Sequence, residues 1–395
     1  MSISKKVDRF MGESSWIRKM FEEGIELKQR YGVANVYDFS LGNPVLEPPK
    51  KFFDSLKSLT NENTAGIHRY MQNAGFLSTR KKIASKITKE SSSQLDENDV
   101  MMTCGAAGAL NVILHSIVDP YDEVVVFKPF FPEYKFYIDN HGGRPVFCDF
   151  STNFYPSLSS LRKIINKKTK ALIINSPNNP TGVTYPPALL KEISELVAEK
   201  EAKLGTEIYI ISDEPYRYLE YDGVEQPFIF DIYKRGIVVS SFSKDLSLAG
   251  ERVGFIATNP KIPNKRKLID ALNFSNRTLG FVNAPALGQR LIGNCLDALI
   301  DLEKYKKKRD LLFSNLVKFG YEIIKPSGAF YLFPKSPIDD IEFTKILKAE
   351  KILVVPGSGF GAPGYFRISY SVQDEVIENA LSGFKKALNF VKSSR

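Results

Sequence analysis

Residues 236–257 read GIVVSSFSKDLSLAGERVGFIA, two short apolar runs, GIVVSSF (236–242) and VGFIA (253–257), on either side of a Ser/Gly-rich loop. Apolarity that is continuous instead of alternating marks strands covered on both faces, as in a mostly parallel sheet held between helices. The pattern recurs in EVVVF (123–127), ALIIN (171–175) and EIYIIS (207–212), with helical segments between. One such helix opens at Pro186 and Pro187, where proline's fixed φ suits a first turn, and carries the stripe Leu189, Ile193, Leu196 and Val197. Strands alternating with helices predict an α/β fold.

Toward the chain ends the pattern changes. A helix is expected after Ser14 and Ser15, with Ile17, Met20, Phe21, Gly24 and Ile25 on one face as far as Gly32, and SLGNP (40–44) turns out of a strand end. Beyond Pro285 one long amphipathic helix is expected to reach about Phe319, followed by YEIIKP, AFYLF, ILVVP, FRISYS and a last helix from about Asp374. The expected class is α/β: a large domain with a mostly parallel central sheet flanked by helices, residues 46–284, and a smaller α+β domain built from both chain ends, 1–45 and 285–395.

A hydrophobic content of 43% with 25% charged residues is that of an ordinary globular chain. The net charge of +9 raises the question of an anionic partner. The basic clusters Lys304–Arg309 and Lys385–Arg395, however, sit in helical stretches among acids or apolar residues and read as solvated faces, so no nucleic acid is expected. Cys104, Cys148 and Cys295 have neither CxxC spacing nor an even count, which fits reduced thiols of a cytoplasmic protein. The N-terminal MSISKKVDRFMGESSW lacks an apolar core segment, and no run is long enough for a membrane span, so no membrane partner is expected. His68, His115 and His141 lack metal-ligand spacing, and no metal is expected.

The loop of the opening stretch carries Lys244 just past a buried strand, a poor place for a merely solvated charge. A lysine beside other cations and away from water has a lowered pKa, and its free amine can form a Schiff base. Arg252 supplies such a cation and suits a phosphate, with Ser241 and Ser243 as further donors. SPNNPTG (176–182) follows a strand, at the carboxyl edge where α/β sheets bind ligands, although alone it reads as an Asn/Pro turn. In SDEPY (212–216), Asp213 is an awkward charge at a buried strand end unless it meets a cationic partner. CGAAGAL (104–110) places Gly105, Ala106 and Ala107 at a helix start, where free N–H groups suit an anion. In FRISYS (366–371), Arg367 lies on a strand, and its planar fork suits a carboxylate, whether of a substrate or of an internal ion pair.

SFSK…GERVG, SPNNPTG and SDEPY, in this order, resemble the class I/II (fold-type I) pyridoxal-phosphate-dependent aminotransferases of the aspartate aminotransferase type, from about Tyr37 to the end of the chain. The resemblance implies pyridoxal 5'-phosphate as cofactor, bound to Lys244. It further implies Asp213 on the pyridine nitrogen, Asn179 and Tyr216 on the phenolic oxygen, and Phe131 of KPFFPEY (128–134) stacked on the ring. Ser241, Ser243, Arg252, Gly105, Ala106 and Ala107 would hold the phosphate. Tyr70 of HRYMQNAG (68–75) would reach the phosphate of the neighbouring subunit's cofactor, which implies a homodimer. Arg367, Asn179 and Gly42 would meet the amino-acid substrate. Arg277, in FSNRTLGFVNAP, is offered for the side-chain carboxylate of a substrate bound in the neighbouring subunit, one place off the simple alignment.

The function implied is transfer of an amino group from an L-amino acid, of aspartate/glutamate or alanine type, to a 2-oxo acid by a ping-pong route through a Lys244 aldimine. The fold also hosts C–S lyases, and a binding or regulatory protein that has lost catalysis is the non-enzyme alternative.

Overall fold

The computed structural model describes residues 3–12, 16–62, 65–224 and 226–394. Its strands, in chain order, are β1 (Tyr37–Asp38), β2 (Val100–Thr103), β3 (Glu123–Phe127), β4 (Arg144–Cys148), β5 (Thr169–Asn175), β6 (Tyr209–Asp213), β7 (Gly236–Ser241), β8 (Gly254–Thr258), β9 (Tyr331–Leu332), β10 (Ile352–Leu353), β11 (Val355–Pro356) and β12 (Phe366–Ser369). Seven form one sheet in the order β2-β8-β7-β6-β5-β3-β4. Strands β3 to β7 are parallel to one another, and β8 opposes both of its neighbours.

The unbroken apolar runs have a direct cause. Val124, Ile173, Ile211 and Val239 enter a core on one face, with Val112 and Leu114 of the helix Gly105–Ile117 and Leu268 and Leu272 of the helix Lys265–Thr278. Val125, Leu172, Ile210 and Val238 enter the other, with Ile193 and Val197 of the helix Pro187–Leu204. Each fully buried side chain of this kind contributes about 1.5–3 kcal/mol, so neither face tolerates polar alternation. The helix Ala286–Cys295, assigned above to the smaller part of the chain, sets Leu291, Ile292 and Cys295 in the second of these cores, beside Val100 and Met102.

The long helix expected beyond Pro285 is two helices, Ala286–Cys295 and Leu302–Phe319. The break is capped and anchored: Asp301 accepts from the Glu303 amide, and the Ile300 amide donates to the Asp245 carbonyl at 3.2 Å. Two small sheets complete the fold, β1 paired parallel with β10, and β11-β12-β9 antiparallel. Phe39 from near the N-terminus shares a core with Leu312, Phe366 and Phe384.

A helix not expected from the sequence, Lys5–Gly12, lays Phe10 edge-on against Phe136 at 4.8 Å. The next helix is Trp16–Tyr31; Ser14 and Ser15 lie outside the described residues, as do the side chains of Ile17 and Phe21. The reading of Lys304–Arg309 as a wholly solvated face is corrected. Arg309 is fully buried, forked onto Asp222 at 2.7 and 3.3 Å and donating to the Pro326 carbonyl at 3.0 Å. Cys104, Cys148 and Cys295 are free thiols. No helix among the described residues is long and apolar enough to cross a membrane.

Candidate active site

Register brings the site together. Asn175 at the end of β5 lies beside Asp213 at the end of β6, and Asp213 lies beside Val239 of β7. Gly254, the first residue of β8, faces both Ser241 at the end of β7 and Thr103 at the end of β2. The loops that leave these ends therefore open on one edge of the sheet, where ligands of α/β proteins bind. With Gly42, Tyr331 and Arg367 they enclose a cavity of about 280 Å³.

Lys244 enters this cavity from the loop after β7, and its Nζ donates to the Gly42 carbonyl at 2.6 Å. Burial, with the nearby Arg367 and Arg252 cations, lowers its pKa to about 8. Gly42 has no room for a side chain, because a Cβ there would fall 2.0 Å from the Tyr331 hydroxyl oxygen. The expectation that glycine is needed beside the substrate acquires a nearer cause in this contact.

Asp213 is 5% exposed, and burial raises its carboxyl to about 7. Tyr134 donates to its Oδ2 at 2.5 Å, and its Oδ1 is buried with no hydrogen-bond partner. The Asn175 side-chain amide donates to the Asp213 carbonyl at 2.9 Å and its Oδ1 accepts from the Asn179 amide at 2.8 Å. One asparagine thus ties the ends of two strands to the SPNNPTG loop.

Arg367 is fully buried on β12. It donates to Asn179 Oδ1 at 2.9 Å and to the Ser40 carbonyl at 2.5 Å, and its Nε has no partner. Burial lowers its pKa, and its guanidinium lies 4.7 Å from the centre of the Tyr331 ring. Tyr331 and Tyr216 share a 2.7 Å hydroxyl hydrogen bond. Phe131 lies edge-on to Tyr134 at 5.5 Å, along the cavity wall.

The helix Gly105–Ile117 points its N-terminus at the same space, and Cys104 provides no side-chain cap for its free amides. Gly105 has φ +71°, and a Cβ on it would lie 2.9 Å from an Arg252 Nη, so glycine alone allows this approach. Arg252 donates to the Ala249 carbonyl at 2.9 Å. Ala106, Ala107, Ser241 and Ser243 line the wall around it. Amides at a helix start, a guanidinium and two hydroxyls make an anion site.

Known proteins share this fold. Residues 34–384 match the family model for class I and II aminotransferases. The chain belongs to that family. The aromatic-amino-acid aminotransferase 2 of Thermococcus litoralis is 30% identical over 402 residues, spanning 98% of both chains. The aspartate aminotransferase of Thermotoga maritima is 32% identical over 358 residues, spanning 89% of each. Among solved structures, an amino transferase from Eubacterium rectale superposes with a TM-score of 0.95 at 37% identity, covering 99% of both chains. This aminotransferase is therefore an enzyme of a pyridoxal-phosphate-dependent family.

Of the residues singled out in the sequence, Gly42, Ala106, Ala107, Phe131, Asn179, Asp213, Tyr216, Ser241, Ser243, Lys244, Arg252 and Arg367 all line the one cavity, and Gly105 touches it through Arg252. Two do not. Tyr70 is 90% exposed, and Arg277 is exposed at the end of the helix Lys265–Thr278, 5.7 Å from the centre of the Phe274 ring. The sequence reading missed Glu133, Tyr134, Tyr137, Asn175 and Tyr331. Asn175 had a usable signal, a polar residue closing an apolar strand run, the same feature that drew attention to Asp213. Tyr331, inside the apolar AFYLF, had none.

Proposed function

We propose that this aminotransferase moves the amino group of an L-amino acid to a 2-oxo acid in two half-reactions, with pyridoxal 5'-phosphate held in the cavity around Lys244. The observation that carries the reading is Lys244 itself, a half-buried lysine whose pKa is lowered to about 8, which faces two arginines and rests on a carbonyl. A structural lysine in such a place would be paired with an acid.

The wall fits the cofactor. The orphaned Asp213 Oδ1 needs a donor, which a protonated pyridine nitrogen supplies. The cradle of Gly105, Ala106, Ala107, Ser241, Ser243 and Arg252 suits the phosphate. Asn179 and Tyr216 are the residues for the phenolic oxygen, and Phe131 for the ring face. When bound, the cofactor supplies an electron sink for the pair left behind as the Cα proton departs. This chain's part is then positional and acid–base. Arg367 would anchor the substrate's α-carboxylate, Lys244 Nζ would take up and hold the proton from Cα, and Asp213 would hold the ring nitrogen through its carboxylate. Tyr70, projecting outward, completes the phosphate site of a second copy, so the working unit is a homodimer.

The test uses the purified holoenzyme. Borohydride should fix the cofactor covalently on the Lys244 peptide, and an amino acid alone should convert the cofactor to its amine form, reversed by a 2-oxo acid. A label on another lysine overturns the site. Release of ammonia and a 2-oxo acid without any acceptor would make the enzyme a lyase.

A further inference from the structure

The wall carries two carboxyl groups among the described residues, and the reading above uses only Asp213. The other, Glu133, opens the helix Glu133–Asn140 two residues after Phe131. Its Oε2 is buried with no hydrogen-bond partner. Burial pushes its carboxyl up, against the pull of Arg367 and Lys135. The cations of the wall are Lys244, Arg252 and Arg367. Phosphate, the Cα proton and the α-carboxylate account for all three. Arg277, exposed elsewhere, is not in this wall. A substrate side chain in this cavity therefore meets an unused acceptor and no unused cation of its own subunit.

We infer that Glu133 is a specificity-determining residue, whose carboxyl accepts a hydrogen bond from a substrate side chain ending in an amine, amide or hydroxyl and disfavours one ending in a carboxylate. The inference rests on Arg367 being the anchor of the α-carboxylate. A buried acceptor paired with a donor-ended ligand loses that partner with any isostere lacking it, and a second carboxylate beside it is a like charge in a place of low dielectric.

The experiment compares wild-type and Glu133→Gln holoenzymes on L-lysine, L-glutamate and L-phenylalanine with one common 2-oxo acid. Equilibrium binding of the three 2-methyl analogues, which have no Cα proton to lose, is measured in parallel. Wild type should bind the lysine analogue more tightly than the glutamate analogue. Glu133→Gln should lower kcat/KM for lysine at least tenfold, raise it several-fold for glutamate and leave phenylalanine within twofold, with the binding constants following. Glu133→Asp, which keeps the charge and shortens the reach, should weaken lysine while still rejecting glutamate. Equal changes for all three amino acids, no change, or a wild-type preference for the glutamate analogue overturns the proposal. The anchor is tested apart from it: an Arg367→Ala enzyme that binds all three analogues as wild type does would remove the α-carboxylate reading, whereas the role of Glu133 is read from the differences among the analogues.

Discussion

Tyr134 donates a 2.5 Å hydrogen bond to Oδ2 of Asp213, and both side chains are buried. In the protein without cofactor this bond draws the Asp213 carboxyl down while burial draws it up to about 7. Tyr134→Phe removes the first influence, so Asp213 should hold its proton to higher pH. The acid limb of the pH profile of kcat/KM should move upward, with a fall of about tenfold to a hundredfold at neutral pH, the range for a hydrogen bond to a charged group. A lowered Tm with an unmoved limb would reduce Tyr134 to packing.

Lys244 titrates near 8 in the protein without cofactor, and only its free amine is nucleophilic. Uptake of pyridoxal 5'-phosphate by that protein, followed by absorbance, should quicken about tenfold per pH unit below 8 and level off above. A rate still climbing at pH 10 would show that the two arginines and burial do not act on Lys244 as proposed.

Asp245, next to Lys244 in sequence, is 5% exposed, and burial raises its carboxyl to about 7 despite Lys86. A carboxyl whose folded-state value lies above its unfolded value of about 3.9 binds its proton more tightly in the native state. Its contribution to stability is therefore lost as pH rises from about 4 to about 7 and stays lost above. Asp245→Asn should raise unfolding free energy at pH 8 by roughly 1–3 kcal/mol and have little effect near pH 4, as read by urea titration. Destabilisation at pH 8 would mean that attraction to Lys86 outweighs burial.

Tyr70 is almost wholly exposed and lies off the wall of its own cavity. If it serves a second copy, inactive Lys244→Ala and inactive Tyr70→Ala subunits should regain activity on mixing, up to about a quarter of wild type, because one of the two sites in a mixed dimer holds both native residues. No recovery, with subunit exchange demonstrated, would return Tyr70 to a role within its own chain.

Sequence alone determined the alternation of buried strands and helices, the position of Lys244 and Asp213 at strand ends, and the small-residue helix start at Gly105. Each is a local property: apolar periodicity, the residue that closes a strand, the small residues that open a helix. Tertiary structure decided what depends on partners far apart in the chain. Tyr134 meets Asp213 across 79 residues and Tyr216 meets Tyr331 across 115, so both pairs depend on how strands and loops are registered, which no local pattern records. The interruption between the helices Ala286–Cys295 and Leu302–Phe319 is likewise tied to the Asp245 carbonyl, and the basic run at Lys304 sends Arg309 inward because Asp222 and Pro326 offer it acceptors there. Composition could place charge on that helix, but only packing could decide which charge was buried.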